Sequence, residues 1–113
     1  MKLNEIYNYI DTFAPFSTQD GFDNSGLLVE SGETEITKAA ICLDITNEVI
    51  EEAHSCGAQL IISHHPVIFH KLAALDPKSP VFRLVKYGMS AICVHTPIDM
   101  ASGGISDMMY GLM

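Results

Sequence analysis

The stretch Gln59-Leu60-Ile61-Ile62-Ser63-His64-His65-Pro66 decides the fold class of this chain of 113 residues. Its short apolar run predicts a buried β-strand, and two adjacent histidines follow that strand directly. A second run, Ala91-Ile92-Cys93-Val94, leads in the same way into His95-Thr96-Pro97-Ile98-Asp99. Apolar strands that end in histidine and aspartate are typical of a metal site at the mouth of an α/β sheet.

Outward from these strands, helical and strand patterns alternate. Apolar residues recur at spacings of three and four from Leu3 to Phe13, which predicts a helix that ends before Pro15. Ser79-Pro80 is typical of a helix start, with proline in the first helical position. The predicted order is a helix over 3–13, strands over 27–29 and 39–43, a helix from Thr46 or Asn47 to Gly57, a strand over 60–63, a helix from Pro80 to Gly88, a strand over 90–94 and a last helix after Gly103-Gly104.

This order predicts an α/β fold with a mainly parallel sheet and helices on both faces. We expect a single domain over residues 1–113. The last helix ends on the apolar Met113 without a cap, so we expect the chain to continue in the full protein. The buried strand over 39–43 and the inner faces of the second and third helices should form the core, with the helices contributing Val49, Ile50, Ala53 and Cys56 and then Val81, Leu84 and Val85.

The polar residues that follow the strands predict a site. Parallel strands share a direction, so the His64-His65 doublet should meet Asp44, His95 and Asp99 at one edge of the sheet. We expect Asp44 to cap the helix that follows it rather than to act at the site. Imidazole and carboxylate are ligands for Zn²⁺, Mn²⁺, Fe²⁺ or Ni²⁺. His64, His65 and Asp99 are therefore the candidate metal ligands, and His95 either binds the metal or orients a ligand.

The doublet leaves two arrangements open. Adjacent residues on an extended strand point to opposite sides, so a single metal rarely takes both histidines. Either a turn at Pro66 brings the imidazoles together, or each serves one ion of a two-metal centre, with ions about 3.5–4 Å apart. The remaining motifs have structural explanations: His54 as a boundary residue on a helix, and Asp23-Asn24 and Gly103-Gly104 as turns. His70 lies in the long loop over 66–78, from which it could reach a substrate.

Composition excludes several classes of partner. The net charge of −8 leaves no basic patch for nucleic acid, and no apolar run approaches the roughly 18 residues of a membrane span. The N-terminus lacks a signal-peptide pattern, so we expect a cytoplasmic protein. Hydrophobic residues make up 48% of the chain, and its mean hydropathy is +0.22, so we expect a partner or a missing half of the protein to cover part of the apolar surface. The cysteines form no C-x-x-C pair and are expected to be small buried residues: Cys42, Cys56 and Cys93.

Several motifs together resemble those of the GTP cyclohydrolase 1 type 2-like family, also called the NIF-three-like (NGG-interacting factor) family. The resemblance extends over essentially all 113 residues. Phe22 stands where the family usually has tryptophan. The motifs are Phe22-Asp23-Asn24-Ser25-Gly26-Leu27, Leu43-Asp44-Ile45-Thr46, Ile61-Ile62-Ser63-His64-His65-Pro66 with Phe69, and His95-Thr96-Pro97-Ile98-Asp99 with Gly103-Gly104-Ile105-Ser106-Asp107.

The resemblance implies a dinuclear-metal α/β protein assembled as a toroidal hexamer from chains with two similar halves. This chain is similar to the N-terminal half. The family pattern implies His64, His65 and Asp99 as metal ligands, His95 at the site, and up to two divalent metal ions per full-length chain. The family takes a further His and Glu from an H-x-x-x-E motif near its C-terminus. Here no histidine follows His95 and no glutamate follows Glu52.

The expected function is a metal-dependent hydrolase whose metal-bound water attacks a nucleotide-like or phosphate-ester substrate, with His95 as the catalytic general acid/base. The resemblance implies purine ring opening, as in GTP cyclohydrolase chemistry, although no guanine-reading or phosphate-cradling motif is present. The expected partners are divalent metal, a small-molecule substrate of unknown identity and further copies of the chain. The alternatives are a non-catalytic metal-binding, scaffold or interaction protein, or an inactive fragment of the longer protein.

Overall fold

A computed structural model describes residues 1–19, 24–32 and 35–95 of the chain. The predicted last helix, the Gly103-Gly104 turn and Asp99 lie outside these residues. Helices and strands alternate as the sequence predicts, and a short 3₁₀ turn over Phe16–Thr18 follows the first helix. The elements are α1 (Leu3–Phe13), β1 (Gly26–Val29), β2 (Ala39–Cys42), α2 (Asn47–Ser55), β3 (Leu60–Ser63), α3 (Pro80–Lys86) and β4 (Ser90–Cys93).

The strands form one sheet in the order β1-β4-β3-β2. The strands β2, β3 and β4 run parallel, in a register that aligns Cys42, Ser63 and Cys93 across the sheet. The first strand runs antiparallel to β4 and pairs Gly26 with Cys93. The prediction of a mainly parallel sheet is confirmed. The antiparallel direction of β1 has a consequence for the site, because the beginning of β1 lies beside the end of β4.

Helices cover both faces of the sheet, as predicted. Because side chains alternate along a strand, Ile61 of β3 faces one way and its neighbours Leu60 and Ile62 face the other. On the face of Leu60 and Ile62, α1 contributes Leu3 and Ile10 to a buried cluster that also contains Ala14, Phe16, Ile36, Ile92 and Val94. On the opposite face, α2 and α3 contribute Ile50 and Leu84 to a second cluster with Val29, Ile45, Ala53, Ala58, Ile61, Met89 and Ala91.

Two serine or threonine caps start the helices that follow β2 and β3. The Thr46 hydroxyl accepts a hydrogen bond from the Val49 amide at 3.2 Å, and the Ser79 hydroxyl accepts one from the Phe82 amide at 3.3 Å. Each satisfies an amide that has no partner within its helix. Within the described residues, none of the helices is long and apolar enough to cross a membrane.

The expectation that β2 is a buried strand is wrong. It forms one edge of the four-stranded sheet and pairs only with β3 among the described strands. Ala39 at its start is exposed, and Leu43, the last residue of the predicted strand, is 51% exposed. An apolar run therefore identified the strand correctly but could not specify its position in the sheet, which depends on pairing with distant residues.

Two apolar residues that the sequence assigned to inner helix faces, Cys56 and Val85, are exposed, and so is Phe13 at the end of α1. Phe13 packs edge to face on Tyr9 at the surface, with 5.7 Å between ring centroids. Cys56 follows the last residue of α2 and is exposed. Val85 lies one residue past the fully buried Leu84, which is about 100° of rotation around α3, and it faces solvent. The burial of Cys93 is confirmed, and Cys42 is partly buried.

Candidate metal centre

The carboxyl ends of the three parallel strands define the site. Because β2, β3 and β4 end in register, the residues that follow them emerge side by side at one edge of the sheet. Asp44 follows β2, the doublet His64-His65 follows β3, and His95 comes two residues after the end of β4. Ligands bind at this edge in α/β sheets. The predicted convergence of these residues is therefore confirmed for the part of the site that the structure describes.

Three imidazoles meet at this edge. Each of His64, His65 and His95 offers a ring nitrogen, and these nitrogens lie within 4.8 Å of one another. The ring centroids are 4.9 Å apart for His64 and His65, 4.7 Å for His64 and His95, and 5.4 Å for His65 and His95. Neutral imidazole is a preferred ligand of Zn²⁺ and other divalent transition metals. This donor set fits such an ion and could hold it.

The geometry of the doublet brings the two imidazoles together, as the first of the two arrangements requires. The strand β3 ends at Ser63, and the chain bends at His64 and His65 themselves. The alternation of an extended strand therefore does not apply to these two residues, and both rings reach the same cluster. The bend lies at the doublet, just before the Pro66 turn that the sequence suggested.

A carboxylate orients one of these imidazoles. The Nδ1–H of His65 donates to Oδ1 of Asp44 at 2.8 Å, which leaves the lone pair of the neutral ring on Nε2. Histidines that bind metals usually donate their other nitrogen to a carboxylate or a carbonyl in this way. The expectation that Asp44 caps α2 is wrong, because Thr46 occupies that position. The assignment of the cap to Asp44 failed because both roles suit an aspartate that ends a strand and precedes a helix, whereas Thr46, one of the two residues at which the sequence predicted the helix to begin, is the cap.

A backbone carbonyl orients the neighbouring imidazole, that of His64, in the same way. Nδ1 of His64 lies 3.3 Å from the carbonyl oxygen of Val94, and it must donate because a carbonyl only accepts. The lone pair of the neutral His64 ring is then on Nε2 as well. The two histidines of the doublet thus share one tautomer, set by two different acceptors, one directly after β4 and one in the segment after β2.

The segment that enters β1 also reaches the site, because β1 is antiparallel. The Ser25 hydroxyl accepts a hydrogen bond from the His95 amide at 3.0 Å. The side-chain amide of Asn24 donates to the carbonyl of Ile68 at 2.6 Å, in the loop after the doublet. The sequence suggested only a turn around Asn24, and Asp23 lies outside the described residues. No local pattern identifies these contacts, which join residues 44 and 70 positions apart.

Other titratable groups among the described residues have different surroundings. Burial, followed by the negative charge of Asp44, raises the pKa of the Cys42 thiol from 9.0 to about 11. His54 is not part of the cluster, and its ring stacks on Tyr87 with 4.1 Å between centroids. That pair belongs to a surface contact between α2 and α3, in which Tyr87 and Arg83 both donate to Glu51. His70 is exposed beside Phe69.

Comparison with known proteins agrees with this architecture. A Clostridium perfringens protein named "GTP cyclohydrolase 1 type 2 homolog" is 38% identical over 117 residues, which cover 100% of this chain and 45% of the relative. The crystal structure of a Staphylococcus aureus protein superposes with a TM-score of 0.88 at 33% identity, covering 98% of this chain and 33% of the other. A Bacillus cereus protein related to NIF3 superposes with a TM-score of 0.87 at 30% identity, covering 98% and 32%.

The chain thus spans between about a third and just under half of the length of these relatives. The family model for Duf34/NIF3 (NGG1p interacting factor 3) matches residues 1–113. This match over the whole chain agrees with the superposition on solved structures and with the histidines at the aligned strand ends. The chain belongs to the Duf34/NIF3 family.

Proposed function

We propose that this chain provides the histidine-rich part of a divalent-metal centre in a metal-dependent hydrolase. The observation that carries the proposal is the meeting of three imidazoles within 4.8 Å at the carboxyl edge of the sheet. The orientation of His65 by Asp44 supports it, because such a pairing holds the ring in the tautomer that a metal requires. His64 and His65 would hold the metal, and Asp99 is the proposed carboxylate ligand.

His95 is the proposed general acid/base. A bound divalent cation supplies Lewis acidity and makes water acidic enough to react near neutral pH. Imidazole can accept a proton at one nitrogen and return it to a leaving group, which is the complementary task in hydrolysis. The His95 ring lies beside both members of the doublet, and its backbone is anchored to Ser25. It is therefore held within reach of a substrate at the doublet.

The substrate class follows from the relatives rather than from the geometry. Names such as "GTP cyclohydrolase 1 type 2 homolog" support a nucleotide-like substrate, and phosphate esters are the second class that metal-activated water commonly attacks. We also propose a cytoplasmic homo-oligomer. Four large apolar side chains near the site or in the following loop are about half exposed, which supports association with another copy: Leu43, Phe69, Leu72 and Leu75.

Elemental analysis of protein purified without chelator or histidine tag tests the metal site. We expect about one to two equivalents of transition metal per chain in the parent, as in one- and two-ion centres. The double variant His64→Ala, His65→Ala should lose this metal. The variant His70→Ala removes an exposed histidine outside the cluster and should retain it. Equal metal content in the parent and the double variant would refute the site.

Hydrolysis assays with GTP and p-nitrophenyl phosphate separate the roles of the histidines. We expect His95→Gln to retain the metal and to lose hydrolysis by about 10²-fold or more, as removal of a general acid/base does. Loss of the metal in this variant would instead make His95 a ligand. Bound metal without hydrolysis of either substrate would favour the alternative of a non-catalytic metal-binding or scaffold protein.

A further inference from the structure

The side chains of two adjacent residues point to the same site, which an extended strand does not permit. The rings of His64 and His65 are 4.9 Å apart, and both contribute to the imidazole cluster. The bend that brings them together has to be held, because the chain before it is a regular strand in the middle of the sheet. The contacts of the doublet's own backbone show what holds it.

The two amides of the doublet bond to the last residue of the edge strand β2 and to the residue that follows it. The His64 amide donates to the Cys42 carbonyl at 3.2 Å, and the His65 amide donates to the Leu43 carbonyl at 2.9 Å. A regular parallel ladder would not use carbonyls of two successive residues in this way, since alternate residues of a strand face opposite neighbours. The amides therefore follow the bend and fix its position relative to β2.

The two carbonyls of the doublet bond to side chains beneath it. The Ser63 hydroxyl donates to the His65 carbonyl at 2.8 Å, and the Cys93 thiol donates to the His64 carbonyl at 3.3 Å. Ser63 and Cys93 are direct cross-strand partners, and they are only 2% and 1% exposed. A buried hydroxyl that turns back to the carbonyl two residues ahead competes with the extended conformation and favours a bend.

We propose that Ser63 and Cys93 are positioning residues that hold the carbonyls of the doublet and so keep both imidazoles turned toward one site. The proposal rests on the proposed function only in taking the imidazole cluster to be the metal site. Neither side chain needs to touch the metal or the substrate. Their action is on the backbone, through one hydroxyl and one thiol at the last position of each strand.

The chain offers a matched control for the serine. Ser90 lies at the opposite end of β4, is fully buried, and its hydroxyl also bonds to backbone: it accepts from the Ser31 amide at 3.1 Å. Ser90→Ala and Ser63→Ala thus delete the same buried group at two ends of the sheet. Cys93→Ala removes the second donor, and Cys93→Ser retains a donor of similar size.

The test is a Co²⁺ titration followed by absorption spectroscopy, together with imidazole ring-to-ring NOEs measured on metal-free protein. We expect Ser63→Ala and Cys93→Ala to weaken Co²⁺ binding about tenfold or more, within the range for groups that support metal ligands. The NOE between the His64 and His65 rings should weaken in both variants. Ser90→Ala should lower the melting temperature but keep the affinity and the NOE, and Cys93→Ser should keep both as well.

The outcomes separate this proposal from the proposed function. If the parent takes up no Co²⁺ but the ring-to-ring NOE disappears in Ser63→Ala, the metal site is refuted and the positioning role stands. Parent-like affinity and NOEs in both alanine variants would overturn the positioning role. If circular dichroism shows that an alanine variant does not fold, the Cys93→Ser variant decides the question. Parent-like Co²⁺ affinity and NOEs in Cys93→Ser support the positioning role. Loss of both in a folded Cys93→Ser protein overturns it.

Discussion

At the scale of single residues, Asp44 and Thr46 lie two positions apart and have different roles. Asp44 accepts the hydrogen bond from His65, and Thr46 caps α2. A carboxylate that orients a ligand acts on metal binding, whereas a cap acts on helix stability. Two nearby substitutions should therefore have separable effects.

Asp44→Ala should weaken Co²⁺ or Zn²⁺ binding about 10–100-fold, because the His65 ring loses the acceptor that sets its tautomer. Thr46→Ala should lower the free energy of unfolding by about 1 kcal/mol, because the Val49 amide loses its partner. Metal titration and urea denaturation of both variants measure the two effects. The assignment would be wrong if Thr46→Ala weakened metal binding and Asp44→Ala did not.

The Cys42 thiol should lose its proton only at strongly alkaline pH. Its pKa is raised from 9.0 to about 11 by burial and by Asp44, so at pH 8 it is protonated and a poor nucleophile. Iodoacetamide at pH 8 should modify the exposed Cys56 well before Cys42, as measured by mass spectrometry of digested protein. The folded state also holds the thiol proton more tightly than the unfolded state does. The protonated Cys42 therefore contributes to the stability of the fold below pH 9, and this contribution is lost as the pH rises through about 11. Equal labelling of Cys42 and Cys56 at pH 8 would contradict the raised pKa of Cys42.

At the scale of elements, α3 presents two adjacent apolar residues to different surroundings. Leu84 is fully buried in the core between the sheet and the two helices on that face, and Val85 is 53% exposed. Leu84→Ala should lower the free energy of unfolding by about 3 kcal/mol, since it leaves a cavity. Val85→Ala should change it by less than about 0.5 kcal/mol. Urea denaturation measures both, and a large loss in Val85→Ala would place that residue in an interface.

Some features of the helices and strands are determined by a few neighbouring residues, and others depend on distant parts of the chain. The start of α3 at Pro80 and the limits of β3 were predictable because Ser79-Pro80 and the run Leu60–Ser63 carry their signals within a few residues. The edge position of β2 and the direction of β1 were not, since each depends on pairing with a distant strand. The imidazole cluster was predictable for the same reason as β3, because the histidines directly follow apolar runs. The link from Asp44 to His65 has no local signature.

At the scale of the whole molecule, the cluster joins segments that are separate in the unfolded chain. A ligand that binds only the native state stabilises it, by about 2.7 kcal/mol at a concentration 100 times its Kd. We therefore expect Zn²⁺ to raise the melting temperature of the parent, measured by circular dichroism. His70→Ala should show the same rise, and His64→Ala with His65→Ala should show none. An equal rise in the double variant would mean that the ion stabilises the protein elsewhere.

The antiparallel strand β1 also brings a distant segment of the chain to the site. Its pairing joins Gly26 to Cys93, and the hydrogen bond from His95 to Ser25 closes a separation of 70 residues. Contacts of such high sequence separation carry a large loop-closure entropy and are slow to form. The anchor of His95 therefore depends on the pairing of the first and last described strands, which lie far apart in the sequence.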